Sequence, residues 1–217
     1  CALHYCLAEA QAQQLAETIT KKGGEVVLLQ GDLRDVNTPR DLVASTIEQF
    51  GSLDILINNA GIMTDSLVET MTDELWDECL AINLSAVFRC CRAAIPHMKQ
   101  NRWGRIISLS SQAAGSGSRF HAHYAASKSG LHGLSFSLAK ELGPEGITVN
   151  LVSPGRIKTD MLYQHSNSRV EEWIRQTPLR RLGTPKEVAD TVAFLASERA
   201  SYITGAEINV NGGQHMG

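Results

Sequence analysis

The chain of 217 residues is poor in several things, and each scarcity excludes a class of protein. It has no basic excess: 20 Lys and Arg stand against 23 Asp and Glu, a net charge of −3. With nothing to neutralise a phosphate backbone, nucleic acid is not expected as a partner. No uninterrupted apolar run approaches the roughly 18 residues of a membrane helix, so no membrane association is expected. No charged-then-apolar opening with a small-residue cleavage site supports secretion. With only 6 Pro and 18 Gly, the chain is neither disordered nor collagen-like. The cysteines Cys1, Cys6, Cys79, Cys90 and Cys91 are odd in number and include no C-x-x-C pair. Neither a disulfide framework nor a zinc knuckle is indicated, and the reading is a reducing cytoplasm. His121 and His123 stand two apart at a helix start and do not share a face, so no metal is assigned. They are expected to line an entrance or face solvent.

What is present is a core and an alternation. A hydrophobic content of 43% and this length suit one domain over residues 1–217. Cys1–Tyr5 reads as a strand, Ala8–Lys22 as a helix closed by Gly23-Gly24, and Val26–Gln30 as a strand. Thr38–Phe50 reads as a helix with Thr38 as N-cap and Pro39 at the first helical position. Leu53–Ile57 is a strand, Thr72–Asn101 one long helical region, and Arg105–Ser111 a strand. His121–Leu142 is a helix, Ile147–Ser153 a strand, Arg169–Gln176 and Pro185–Ala196 helices, and Ala206–Val210 the last strand. This alternation predicts an α/β fold: a doubly wound parallel sheet with helices on both faces. The runs ILI, IISL and ITVNLV fit strands buried on both sides. The more polar segment Met161–Pro178 follows a strand and is a candidate substrate lid or a plain surface excursion.

Four patterns fall at the carboxyl ends of strands. Asn58-Asn59-Ala60-Gly61 follows Leu53–Ile57, and its small residues allow a tight turn and close approach to a ligand. Tyr124 and Lys128 stand four apart on a helix, so phenol and ammonium share a face. A neighbouring cation favours the phenolate and is expected to lower the Tyr124 pKa from its ordinary value of about 10, making a general acid and base. Ser111, at the end of Arg105–Ser111, offers a hydroxyl for a substrate carbonyl, a place Ser110 serves equally well. Pro154-Gly155, followed by Thr159, combines a fixed φ with room for close approach. Each pattern alone is equally an ordinary turn or an exposed helix pair.

Taken together and in this order, these patterns resemble the short-chain dehydrogenase/reductase family, in its 3-oxoacyl-carrier-protein reductase-like branch. Asn83, Tyr202-Ile203-Thr204-Gly205 and Val210-Asn211-Gly212-Gly213 extend the resemblance over nearly the whole chain. It implies a Rossmann-type fold and hydride transfer between a nicotinamide cofactor and a carbonyl or alcohol carbon. It further implies that Tyr124 moves the proton, Ser111 orients the oxygen, and Lys128 lowers the Tyr124 pKa and binds the nicotinamide ribose. Asn83 would hold a water linking Lys128 to a proton path. Ile157 and Thr159 would sit near the carboxamide, Asp32 and Leu33 at the adenine, and Asn59 at the adenosine side.

One element of the family pattern is not in the sequence. A dinucleotide fold needs a strand, a G-x-G-type turn and a helix, so that the pyrophosphate meets backbone N–H groups. Gly115 and Gly117 precede the wrong helix, and Gly212-Gly213 lie near the end of the chain. The first strand and glycine-rich loop would lie ahead of Cys1, and the expectation is that an N-terminal segment carries them. Cys1–Leu7 contains no Asp or Glu to bind a ribose 2′-hydroxyl and repel a phosphate, which favours NADP(H), with NAD as the alternative.

The leading reading is therefore an NADP(H)-linked carbonyl reductase acting on a small-molecule carbonyl or a 3-oxoacyl thioester. The alternatives are an NAD-linked dehydrogenase of a sugar, steroid or small alcohol, and a cofactor-binding, non-catalytic homologue. The resemblance implies a homotetramer, in keeping with the wide apolar arcs on Leu84–Met98 and Tyr124–Leu142. For an acidic carrier, Arg102 lies where the branch has a basic residue, whereas Glu145 stands where it can carry a second. Arg119, Arg169, Arg175, Arg180 and Arg181 are further basic positions around the expected mouth.

Overall fold

A computed structural model describes residues 1–165 and 169–216. Strand β1 (Ala2–Tyr5) leads through α1 (Glu9–Lys21) to β2 (Val27–Gln30), and α2 (Thr38–Phe50) leads to β3 (Ile55–Asn58). A long helical stretch follows, in which α3 (Asp73–Leu80) and α4 (Ala86–Asn101) are joined by a π-turn at Ala81–Ser85. Then come β4 (Gly104–Leu109), the short α5 (Ala113–Ser116), α6 (Ala122–Leu142) and β5 (Ile147–Pro154). Helices α7 (Asp160–His165), α8 (Val170–Gln176) and α9 (Pro185–Ala196) precede β6 (Glu207–Val210). Around the segment read as a lid, α8 matches the helix read over Arg169–Gln176, α7 was not foreseen, and residues 166–168 lie outside the described residues.

Strands β3, β4, β5 and β6 form one parallel sheet in that order. Strands β1 and β2 form a separate parallel pair. Successive side chains of a strand point to opposite faces, and both faces of the larger sheet are covered. Ile106, Val149 and Leu151 pack with Val43 of α2, Met98 of α4 and Leu131 of α6. Ile107, Leu109 and Val152 turn the other way and pack with Leu195 of α9. The expected α/β architecture with helices on both faces is thus present.

Three local expectations need correction. The run ILI is not buried on both sides: Ile55 and Ile57 are 43% and 46% exposed, and only Leu56 packs into the core. β3 is the edge of its sheet, and among the described residues no strand ladder joins it to β1. Thr38 is not the cap of α2; Asn37 precedes the first helical residue, and neither side chain caps the helix. Finally, although no apolar run is uninterrupted, the continuous helix Asp73–Asn101 is long and apolar enough, by length and composition, to cross a membrane. Of its apolar side chains, Ala86, Val87, Cys91, Ala94 and Met98 are buried in the protein core, while its most apolar window is 33% buried as a whole.

The entry into β5 depends on one glycine. Gly146 has φ of +77°, and an added Cβ would collide with the Arg102 carbonyl oxygen at the end of α4. Backbone, unlike a flexible side chain, cannot give way there. Gly146→Ala is expected to lower unfolding free energy by about 2 kcal/mol or more, measured as a shift in urea midpoint at unchanged m.

Candidate active site

Because the strands run parallel, the carboxyl ends of β3, β4 and β5 lie at one sheet edge, where loops carry ligands in such folds. Each of the four sequence patterns is delivered there. Lys128 is 4% exposed, and its Nζ donates to the Leu109 carbonyl at the last residue of β4, at 2.7 Å. The Tyr124 ring lies beside it, with Nζ 5.7 Å from the ring centroid. Ser111 lies close enough to the Tyr124 phenol to draw its pKa down, and its hydroxyl accepts from the Ala113 amide at 3.2 Å. Of the two candidate serines, Ser111 therefore belongs to the phenol, while Ser110 faces the opposite way, toward the Lys128 carbonyl.

Asn83 sits within the π-turn and is fully buried. Its Oδ1 accepts from the Ile62 amide at 2.8 Å, and its Nδ2 donates to the Ile62 carbonyl at 2.9 Å, with the Ser127 hydroxyl and Cys79 thiol close by. The side chain is thus committed to holding the loop after β3. Gly61 completes the wall: a Cβ there would lie 3.2 Å from Asn83 Oδ1 and 3.4 Å from Lys128 Nζ. Sequence reasoning missed the Leu109 carbonyl, the Ile62 amide and the Cys79 thiol. Main-chain partners and π-turns carry no residue-type signature.

Burial sets the electrostatics. It pushes Lys128 down to about 8 and is also the largest influence on Tyr124, whose pKa is raised; the Ser111 hydrogen bond opposes this rise. The expectation that Lys128 lowers the phenol's pKa is therefore not met in the protein alone. Desolvation is the largest influence on the phenol, and the Lys128 ammonium, bonded to Leu109, stands over the ring.

The remaining positions lie further along the same edge. Ile157 is stitched to Gly183 by a parallel bridge, and Thr159, exposed, folds its hydroxyl back toward the Ile157 carbonyl at 3.4 Å. Asn59 is exposed just past β3. Asp32 and Leu33 follow β2, but the Asp32 carboxylate is already gripped by Arg34, whose guanidinium also reaches Glu78. That grip lowers the Asp32 pKa. His4, at the end of β1, is bonded to the Gly31 carbonyl at 2.8 Å. His123 does not face solvent: it is fully buried against Thr64, while His121 pairs with Asp65 at 2.7 Å. Among the described residues no three His, Cys, Asp or Glu side chains cluster as metal ligands do.

Residues 1–215 match the family profile described as enoyl-(acyl carrier protein) reductase. The chain is 42% identical over 215 residues to the 3-oxoacyl-[acyl-carrier-protein] reductase of Staphylococcus aureus (strain Mu50), covering 99% of this chain and 87% of the relative. It is 41% identical over 209 residues to the enzyme of the same name from Escherichia coli (strain K12), covering 96% and 84%. The chain belongs to the short-chain dehydrogenase/reductase family. As such it is an oxidoreductase acting on a CH–OH or carbonyl group with a nicotinamide cofactor. Asn58–Gly61, Asn83, Ser111, Tyr124, Lys128, Pro154-Gly155 and Thr159 lie toward one edge, whereas Tyr202–Gly205 enter β6 at the other end, where the Thr204 hydroxyl accepts from the Val149 amide.

The Lys128 shift has a consequence for stability. A lysine whose pKa is lower folded than unfolded binds its proton less readily in the native state, so stability rises as pH climbs from about 8 toward the ordinary 10.5. At about 1.4 kcal/mol per pH unit, the span amounts to about 3 kcal/mol at most. Urea midpoints of the cofactor-free protein and of Lys128→Met, measured between pH 7 and 10.5, should show the wild type gaining on the variant across that window.

Proposed function

We propose that this chain reduces a carbonyl to an alcohol with NADPH, and that Tyr124 is the proton donor. The observation that carries this reading is the Tyr124 ring lying under the buried Lys128 ammonium, with Ser111 near its phenol, at the carboxyl edge of the sheet. A phenol raised above its ordinary pKa is protonated near neutrality, which is the state a reduction needs. As the substrate oxygen gains negative charge it takes the Tyr124 proton. Ser111 orients that oxygen, and Lys128 stabilises the phenolate left behind.

The residues present fit the nicotinamide half of a dinucleotide. Among the described residues Lys128 Nζ has one protein acceptor, Leu109, which leaves two N–H groups for ribose hydroxyls. Gly61 keeps that wall thin, and Ile157 and Thr159 stand where a carboxamide would lie. Bound there, the nicotinamide supplies the hydride. Asn59, and Asp32 with Leu33, would take the adenosine side, Asp32 sharing its carboxylate with Arg34. NADPH is preferred over NADH because no carboxylate stands at the end of β1. Among the described residues no ladder pairs β1 with β3, and a parallel strand with a glycine-rich turn set between them would complete the diphosphate site. The cysteines are free thiols, in keeping with a cytoplasmic enzyme. Phe88 and Phe136, 44% and 40% exposed on α4 and α6, support helix pairing in a homotetramer.

For turnover, Tyr124→Phe is expected to lower kcat about 10²- to 10⁴-fold while NADPH binding, followed by fluorescence, is retained. Wild-type activity in that variant would exclude Tyr124 as the proton donor. No turnover from the wild type across a ketone panel would instead favour a non-catalytic homologue.

The substrate we propose is a 3-oxoacyl thioester, after the relatives' names. The family profile's description names enoyl reduction instead, so the test set needs both. Charge argues against tight docking of an acidic carrier at one place: Arg102 is paired with Glu145 at 3.4 Å and with the Pro144 carbonyl at 3.0 Å. Acetoacetyl groups on carrier protein and on coenzyme A, a crotonyl thioester and a simple ketone should be compared. Preference for carrier-linked acetoacetyl supports the reading, and preference for the crotonyl thioester or simple ketone overturns it. Glu145→Arg frees Arg102 and should improve carrier-linked turnover severalfold at low salt, with the gain lost as salt is raised.

A further inference from the structure

We infer that His132 is a positioning residue for Lys128, acting through Ser110; the inference rests on the catalytic reading of Tyr124 and Lys128. His132 lies one turn after Lys128 on α6, and its Nε2 is 3.2 Å from the Ser110 hydroxyl and 3.2 Å from Glu207 Oε1 on β6. Ser153, the penultimate residue of β5, donates to that same Glu207 oxygen. Ser110 and Ser153 are 3% and 0% exposed, so the network crosses the interior from α6 to three neighbouring strands.

The hydrogen directions are determined by what each group can do. A carboxylate only accepts, so Nε2 must carry the hydrogen that faces Glu207 and Ser110. The Ser110 hydroxyl is then free to donate its own hydrogen, and its acceptor is the Lys128 main-chain carbonyl at 3.4 Å. The chain of donors ends on a peptide carbonyl, which passes no proton onward. It therefore holds and does not conduct. What it holds is specific: the Lys128 carbonyl is tied to Ser110 while the Lys128 ammonium is tied to Leu109, the adjacent residue. The peptide leaving β4 grips one lysine at both ends, and Ser110 is itself anchored by its amide to the Val152 carbonyl at 2.8 Å. Glu207 is the charged partner of His132, and Phe136 stacks on its ring at 5.9 Å.

Removing the imidazole frees Ser110 to turn away, and the ammonium loses its height relative to the phenol. His132→Leu and Ser110→Ala should each lower kcat about ten- to hundredfold, since small displacements of a catalytic group cost that much. The alkaline limb of the kcat–pH profile should move upward, because a displaced ammonium stabilises the phenolate less. KM for the carbonyl substrate and the NADPH dissociation constant should stay within about twofold, as expected when an interaction of the transition state alone is lost. His132→Gln, whose amide N–H can span Ser110 and Glu207, should recover most of the rate. An unmoved alkaline limb in both impaired variants, or His132→Gln as impaired as His132→Leu, would show a merely structural role and overturn the inference. Fully active Tyr124→Phe would instead defeat the underlying catalytic reading, whatever the His132 variants do.

Discussion

A buried ammonium has to be met by an acceptor, and that requirement at Lys128 organises the site end of this fold. Taking an unpaired charge out of water costs several kcal/mol. Here the Leu109 carbonyl meets it at 2.7 Å. That carbonyl is available only because β4 stops at Leu109, where the chain turns out of the sheet after its ladder with β5. The ammonium is in reach only because Leu131, Ala139 and Leu142 seat α6 against the same sheet. The same burial that makes the contact necessary depresses the Lys128 pKa and raises that of Tyr124. Packing and acid–base chemistry are two results of one placement.

Around that contact the interior is polar in a region where the rest of the sheet is apolar. Asn83, Ser127 and Cys79 lie packed together behind the lysine, and Asn83 bolts the loop after β3 to the π-turn through both Ile62 main-chain groups. A regular α-helix would present Asn83 differently; the π-turn widens the helix at the residue whose side chain must reach sideways. Asn83, Ser127 and Lys128 each have a partner within the protein, which lets this shell be rigid as well as polar.

At the opposite margin, among the described residues, the strands form two separate ladders. β1 and β2 stand apart from the four-stranded sheet, and β3 exposes Ile55 and Ile57 on one face. Two apolar side chains in water and an unpaired ladder edge are features that folded chains generally cover. The long helix Asp73–Asn101 turns Val87, Cys91, Ala94 and Met98 toward α2 and the sheet within one core.

Much of this was legible in residue order. Period-two apolar runs and amphipathic stretches located the strands and helices to within a few residues, because side-chain alternation is a local property. Tyr124 and Lys128 share a helix face at any tertiary arrangement, and so the pair could be named before its surroundings were known. What the residue order left open were the quantities set by neighbours distant in sequence. Which of Ser110 and Ser111 serves the phenol depended on the direction of the peptide leaving β4. Whether the cation or desolvation governs the Tyr124 pKa depended on the ammonium's being drawn to Leu109. The exposure of Ile55 and Ile57, the burial of His123 and the pairing of Arg102 with Glu145 likewise arise from elements that meet only in three dimensions. Local pattern determined the elements and the reactive pair; tertiary packing decided their protonation and partners, because burial and main-chain hydrogen bonding belong to the assembled core.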